Sequence, residues 1–362
     1  MSVDRRVALC GRLRYCAMRI VAIEEHHVLP GLPLLPGLGT SSDSAWPPAE
    51  VRQRLYASVD RRLADMDAAR IDRQVLSVPL TIAEDLPDDS LRSMATTANS
   101  ELQGMVEKYP HRFAAFATLP CSTPDLAAAE LERAVTQLGF VGAMIYGNVG
   151  GRFLDDPMFG PILDAAERLD VPIYLHPGPP PKRVRDAYYS GFDPAINLML
   201  ANGAYGWHYE ASLHATRMVI AGVFDRHPGL KMILGHLGEG IPFHLARIDD
   251  VLTPLASHLR KPISAYYRDN FWVTTSGYFY TGPFELTRET FGDDHVIFSV
   301  DYPFADNRRA LDWFDHLDLA PDEREKIAHA NAEALLRLPG LAPDEREKIA
   351  HANAEALLRL PG

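Results

Sequence analysis

Eight short apolar runs, most of them separated by stretches with helical spacing, constrain this chain more than any other feature it carries. The runs are 19–24, 74–78, 113–118, 141–145, 172–175, 231–234, 271–275 and 295–300, and the intervening segments 49–69, 91–108, 124–138, 157–169, 239–253 and 306–316 read as helices. Strands that alternate with crossover helices make a parallel sheet, and eight of them predict a closed (β/α)8 TIM barrel. The runner-up is a doubly wound open sheet. It lacks support, because no G-x-G-x-x-G follows the first strand and no phosphate loop occurs in the chain.

At 362 residues, the barrel reading takes residues 18–340 as one domain. Residues 1–17 read as a flexible N-terminal extension, and residues 341–362 repeat 319–340 residue for residue. Repeat architectures need at least three stacking units, so this pair is expected to be an accessory or artefactual addition. Residues 183–227 exceed what one connection needs, and predict a pocket-shaping loop followed by a helix from about 193.

Composition serves mainly to exclude. A net charge of −12 argues against a nucleic-acid surface, which needs clustered Lys and Arg. No apolar run reaches the ~20 residues that span a bilayer. Cys10, Cys16 and Cys121 match neither a disulfide framework nor a four-thiolate zinc site, so a cytoplasmic protein is expected.

Barrel chemistry sits at the carboxyl ends of the strands, and four ends carry ionisable residues: IVAIEEHHV, PIYLHP, KMILGHLGEG and VIFSVDYP. Charges placed there are costly unless paired or bound to an ion. Glu24 and His26 are two apart, so an extended strand turns both to one face and Glu25 and His27 to the other. Joined by His176 and Asp301, they give two imidazoles and two carboxylates. That set suits one divalent ion, zinc or manganese, with a position left open. The fourth strand, GAMIYG, ends without a lysine that could bridge two metals. His236 and Glu239, three apart, read as a proton relay at the start of a helix. Arg247, two turns further, is placed to meet a substrate carboxylate. His208, His214 and His244 fall in helical segments and read as structural or pocket-wall residues.

Taken together, VAIEEHHVLP, RFAAFATLP, LGFVGAMIYG, DVPIYLHP, ILGHLGEGIPFHLARID, FWVTTSG and VIFSVDYPF resemble the amidohydrolase superfamily. Within it, the chain is similar to the non-oxidative aromatic acid decarboxylases of the γ-resorcylate and 2,3-dihydroxybenzoate type, over about residues 18–340. Many superfamily members open with His-x-His, whereas Glu24-x-His26 resembles the hydroxybenzoate decarboxylase subgroup. The resemblance implies metal ligation by Glu24, His26, His176 and Asp301, and proton movement by Asp301, His236 and Glu239. It implies substrate contact by Arg247, and Tyr146 stands where the family often has asparagine, at the pocket. It further implies reversible decarboxylation of a hydroxylated aromatic acid without an organic cofactor, in a homodimer or homotetramer. The alternative on the same residues is an amidohydrolase or lactonase cleaving a C–N or C–O bond with activated water; a barrel serving only as a binding module would not need an intact ligand set.

Overall fold

The computed structural model describes residues 18–29, 47–79 and 88–339. The expected extension at 1–17 and the repeat at 341–362 lie outside them. Among the described residues, eight parallel strands form: β1 (Val21–His26), β2 (Arg73–Ser77), β3 (Phe113–Ala115), β4 (Ala143–Tyr146), β5 (Ile173–His176), β6 (Met232–Leu234), β7 (Phe271–Thr274) and β8 (Val296–Ile297). Their ladders run β1-β2-β3 and β4-β5-β6-β7-β8, and parallel bridges Ala117–Ala143 and Glu25–Tyr302 join the two arcs into a ring. The barrel read from the sequence is therefore closed.

Alternation along each strand sorts the apolar residues into two layers. Val21, Ile23, Val75, Met144, Tyr174, Ile233 and Ile297 fill the interior, while Ala22, Leu76, Ile145, Leu175 and Leu234 pack against the helices. Leu335, Leu336 and Leu338 join the interior cluster. Arg19 with Glu333 and the Arg73 guanidinium on the Pro339 carbonyl fasten this last segment to the amino ends of β1 and β2. The carboxyl ends are left for chemistry.

The helices are α1 (Ala49–Leu55), α2 (Val59–Ala68), α3 (Asp88–Lys108), α4 (Pro124–Leu138), α5 (Gly160–Leu169), α6 (Lys182–Tyr188), α7 (Pro194–Ala201), α8 (Gly206–Ile220), α9 (Val223–Arg226), α10 (Ile241–Leu252), α11 (Ile263–Asn270), α12 (Thr281–Phe291), α13 (Asn307–Asp315), α14 (Pro321–Glu325) and α15 (Asn331–Leu336), the last two joined by a π turn, Lys326–Ala330. The single helix expected over 49–69 is two, because the Ser58 hydroxyl accepts the Arg61 N–H at 3.3 Å and starts a new helix. The long connection after β5 holds four helices, α6 to α9, rather than a loop and one helix. The last strand is shorter than expected, since the Phe298 N–H leaves the ladder for the Ile327 carbonyl at 2.8 Å. None of the helices among the described residues is long and apolar enough to cross a membrane.

Candidate active site and metal centre

Strict alternation from Val21 and Ile23, both interior, would send Glu24 outward. A bulge prevents this: Ala22 pairs with Gln74 but Glu25 pairs with Leu76, so β1 carries one extra residue there. The Ser299 hydroxyl accepts the N–H groups of Ile23 and Glu24 at 2.9 and 2.6 Å, satisfying the backbone the bulge disturbs. Glu24 thereby turns into the barrel mouth with His26. Glu25 turns away, as expected, and holds the end of β8 by accepting the N–H groups of Val300 and Tyr302 at 2.9 and 3.1 Å. Burial pushes its carboxyl up to about 8.

One oxygen of Glu24 is fully engaged. Oε2 accepts the hydroxyls of Tyr174, Ser276 and Thr274, the last at 3.1 Å. A side chain on Gly235 would stand 2.8 Å from that oxygen, so the close approach of β6 requires glycine. Among the described residues, the buried Oε1 has no hydrogen-bond partner, nor has the buried Nε2 of His26. His26 reaches Ser77 Oγ and the Tyr146 hydroxyl through Nδ1, at 3.0 and 3.2 Å. His176 donates Nδ1–H to the Pro177 carbonyl at 2.7 Å, which leaves its Nε2 lone pair facing the same point.

The four sequence-predicted ligands converge. Glu24, His26, His176 and Asp301 each offer an atom within 4.8 Å of the others. His26 Nε2 is 3.1 Å from Asp301 Oδ1, and His176 Nε2 is 3.3 Å from Glu24 Oε1. Two lone-pair nitrogens and two carboxylates in a buried mouth, with orphaned acceptors aimed inward, fit a divalent cation. Burial would raise the Glu24 carboxyl, but chiefly the His236 charge holds it well below the usual carboxylate range. Burial depresses His26, favouring the neutral ring a metal needs.

Beyond the ring lies the expected relay, with a different backbone. Glu239 does not open a helix; α10 begins at Ile241, and residues 236–240 form a left-handed turn with φ of +49, +56, +83, +56 and +82°. Three of these are not glycine, and each costs about 1–2 kcal/mol. The Leu237 N–H to the Thr274 carbonyl (2.8 Å) and the His236 N–H to Ser276 Oγ (3.2 Å) hold the turn in place. It brings His236 Nδ1 to 2.7 Å from Glu239 Oε1 and leaves His236 Nε2 3.8 Å from both Glu24 Oε1 and Asp301 Oδ2.

Tyr146 and Arg247, the two expected substrate contacts, differ in their surroundings. The Tyr146 hydroxyl is occupied by Ser77 and His26, at 3.0 and 3.2 Å, so it braces the His26 ring. Arg247 is exposed on α10, and no hydrogen bond or ion pair engages it among the described residues. His214 is structural: its Nε2 accepts the Leu154 N–H at 2.7 Å. His208 proves to be more than a wall, since its Nδ1 lies 2.6 Å from Glu239 Oε2. Sequence reasoning also missed the hydroxyls of Tyr174, Thr274 and Ser276, although polar residues closing the seventh strand were a readable signal.

The amidohydrolase family profile matches residues 24–360. This chain belongs to the amidohydrolase family. Among its relatives, a γ-resorcylate decarboxylase of Polaromonas sp. is 36% identical over 330 residues, covering 88% of this chain and 98% of the relative. The crystal structure of a 2,6-dihydroxybenzoate decarboxylase from Rhizobium superposes with a TM-score of 0.78 at 34% identity, covering 89% of this chain and all of that one. A dihydroxybenzoic acid decarboxylase from Polaromonas sp., solved with bound manganese and the inhibitor 2-nitroresorcinol, gives a TM-score of 0.79 at 34% identity over 90% of this chain and 98% of its own.

Proposed function

We infer that this chain is a metal-dependent, non-oxidative decarboxylase of an aromatic carboxylic acid, a carboxy-lyase within the amidohydrolase family. The observation that carries the reading is the mouth of the barrel, where Glu24 Oε1 and His26 Nε2 are buried without hydrogen bonds beside His176 and Asp301, in a chain resembling dihydroxybenzoate decarboxylases along most of its length.

We propose Glu24, His26, His176 and Asp301 as ligands of one ion, manganese before zinc, since manganese is bound in a related structure. When bound, the ion supplies a positive charge that anchors the substrate carboxylate with an adjacent hydroxyl and stabilises the phenolate. The chain's own residues do the rest. Asp301 is the most exposed of the four and can reach both the ring and His236. It delivers a proton from Oδ2 to the ring carbon bearing the carboxylate; the bond to the carboxylate then breaks, carbon dioxide leaves and the ring regains aromaticity. His236 Nε2, 3.8 Å from Asp301 Oδ2, returns a proton for the next turnover, and Glu239 fixes that imidazole through Nδ1. The carbon–carbon bond is broken and the proton added without a net change of oxidation state that would call for an external oxidant, and the step runs backwards under high bicarbonate.

Arg247, exposed on α10, is proposed for a second anionic group of the substrate, and Tyr146 for the pocket wall beside His26. The oligomer is proposed as a homodimer or homotetramer and the location as cytoplasmic. A panel of hydroxybenzoates, 2,6-dihydroxybenzoate first, incubated with the manganese-loaded protein tests the reading. Carbon dioxide and the matching phenol support it; two fragments or a ring-opened acid would replace it with hydrolysis.

A further inference from the structure

Beside the proposed relay, a single carboxylate binds two imidazoles. Glu239 Oε1 lies 2.7 Å from His236 Nδ1 and Oε2 lies 2.6 Å from His208 Nδ1, and Glu239 is only 2% exposed. These are hydrogen-bond lengths, and none of the three side chains leaves a buried polar atom without a hydrogen bond. The group is thus bonded within itself, unlike the ring of four ligands with its orphaned atoms. We propose that His208 is a positioning residue for the decarboxylation, holding Glu239 so that Glu239 can hold His236; the inference rests on the relay reading above.

Three features build His208 into this place. It sits in the first turn of α8, where the Trp207 indole N–H donates to its Nε2 at 3.2 Å. The Gly203 carbonyl lies 3.1 Å from the same Nε2, and the two contacts hold the ring with its Nδ1–H donating to the Glu239 carboxylate. The indole packs so closely over Gly203 that an added Cβ would stand 2.9 Å from its ring. Lastly, the His208 ring meets those of His236 and Tyr278 edge-on, with centroids 4.8 and 5.3 Å apart, so it has little room to swing.

A buried carboxylate accepting a donor on one oxygen alone leaves the other desolvated and unsatisfied, which is unfavourable for a charged group. Without His208, Glu239 turns to find a second donor and releases His236 Nδ1. The His236 ring then no longer keeps Nε2 at its place between Glu24 and Asp301. The loss is felt in the chemical step and not in ion or substrate binding, because neither His208 nor Glu239 belongs to the ligand set.

The test compares His208→Leu, which removes the donor, with His208→Asn, whose side-chain amide N–H stands close to where Nδ1 stood. Rates are taken with manganese and the hydroxybenzoate that the parent turns over fastest, and His236→Asn serves as control. We expect His208→Leu to lower kcat at least tenfold with KM and manganese content within twofold of the parent, and His208→Asn to recover kcat to within about threefold. Parent-like kcat in His208→Leu, or equal losses in the Leu and Asn variants, overturns the inference. With His236→Asn inactive, either result removes His208 alone; parent-like kcat in His236→Asn removes the relay and His208 together.

Discussion

His176 Nε2 and Glu24 Oε1 stand 3.3 Å apart with a lone pair on each side of the gap. The His176 proton is committed to the Pro177 carbonyl through Nδ1, and the other oxygen of Glu24 is committed to three hydroxyls. Both atoms are buried, and together with His26 Nε2 and Asp301 Oδ1 they face one point that favours a cation. The chemistry proposed for this chain follows from that convergence.

The hydroxyl cradle of Glu24 gives a first prediction. Ser276 donates to Oε2 and also accepts the His236 N–H at 3.2 Å, so it orients Glu24, a proposed ligand, and braces the left-handed turn. Loss of such an outer partner weakens metal affinity by roughly 10–100-fold. Ser276→Ala is expected to raise the manganese Kd at least tenfold in a calorimetric titration, and an unchanged Kd would show that Tyr174 and Thr274 suffice.

A second concerns Asp301, the proposed ligand given the proton. Asp301→Asn keeps an oxygen facing the ion but carries no exchangeable carboxyl proton. Carbon dioxide release is expected to fall below detection while manganese, measured by elemental analysis, stays near one per chain. Full activity in a metal-loaded Asp301→Asn protein would take the proton away from this residue.

Stability should depend on pH through His214. Burial lowers its pKa from 6.5 to about 3, so the folded chain keeps the ring neutral while the unfolded chain protonates it. The unfolded state binds the extra proton between those values; stability from this group is complete above pH 6.5 and drains as pH falls towards 3, at about 1.4 kcal/mol per pH unit. Gln at 214 keeps an acceptor for the Leu154 N–H without titrating. Urea unfolding from pH 6 to pH 4.5 should show a slope shallower by about that amount in His214→Gln, and parallel slopes would place the proton uptake elsewhere.

Arg247 offers a fourth. Exposed and unengaged among the described residues, it contributes little to folding, and surface substitutions of this kind stay within about 0.5 kcal/mol. Arg247→Ala is expected to leave the Tm unchanged and to raise KM several-fold with kcat preserved. An unaltered KM would make it an ordinary surface residue.

How far the chain could be read in advance follows from the range of each signal. The strands and the convergence of Glu24, His26, His176 and Asp301 were legible because apolar runs of four to six residues end abruptly in Glu24, His176 and Asp301, with His26 two residues on, a local pattern. The β1 bulge was not, since the extra residue is defined only against β2, and the two-residue spacing already puts Glu24 and His26 on one face without it. Glu239 was placed at the start of a helix, whereas Gly238 and Gly240 allow a left-handed turn that ends before Ile241. His208 lies 31 residues from Glu239 on a different element, and helical spacing carries no trace of that partnership. Among these, the fold-level features come from periodicity, and the misses come from contacts between elements.

The most direct measurement is manganese dependence with product analysis on one preparation. Chelator-treated protein, folded by circular dichroism, is assayed with 2,6-dihydroxybenzoate and the rest of the hydroxybenzoate panel before and after one equivalent of manganese is restored. The account predicts no carbon dioxide before, and after restoration, carbon dioxide with an equimolar amount of the decarboxylated phenol, together with a higher Tm from ion binding to the folded state. Undiminished decarboxylation by the metal-free chain, or binding of the ion unaffected by replacing Glu24 and His176, would contradict it.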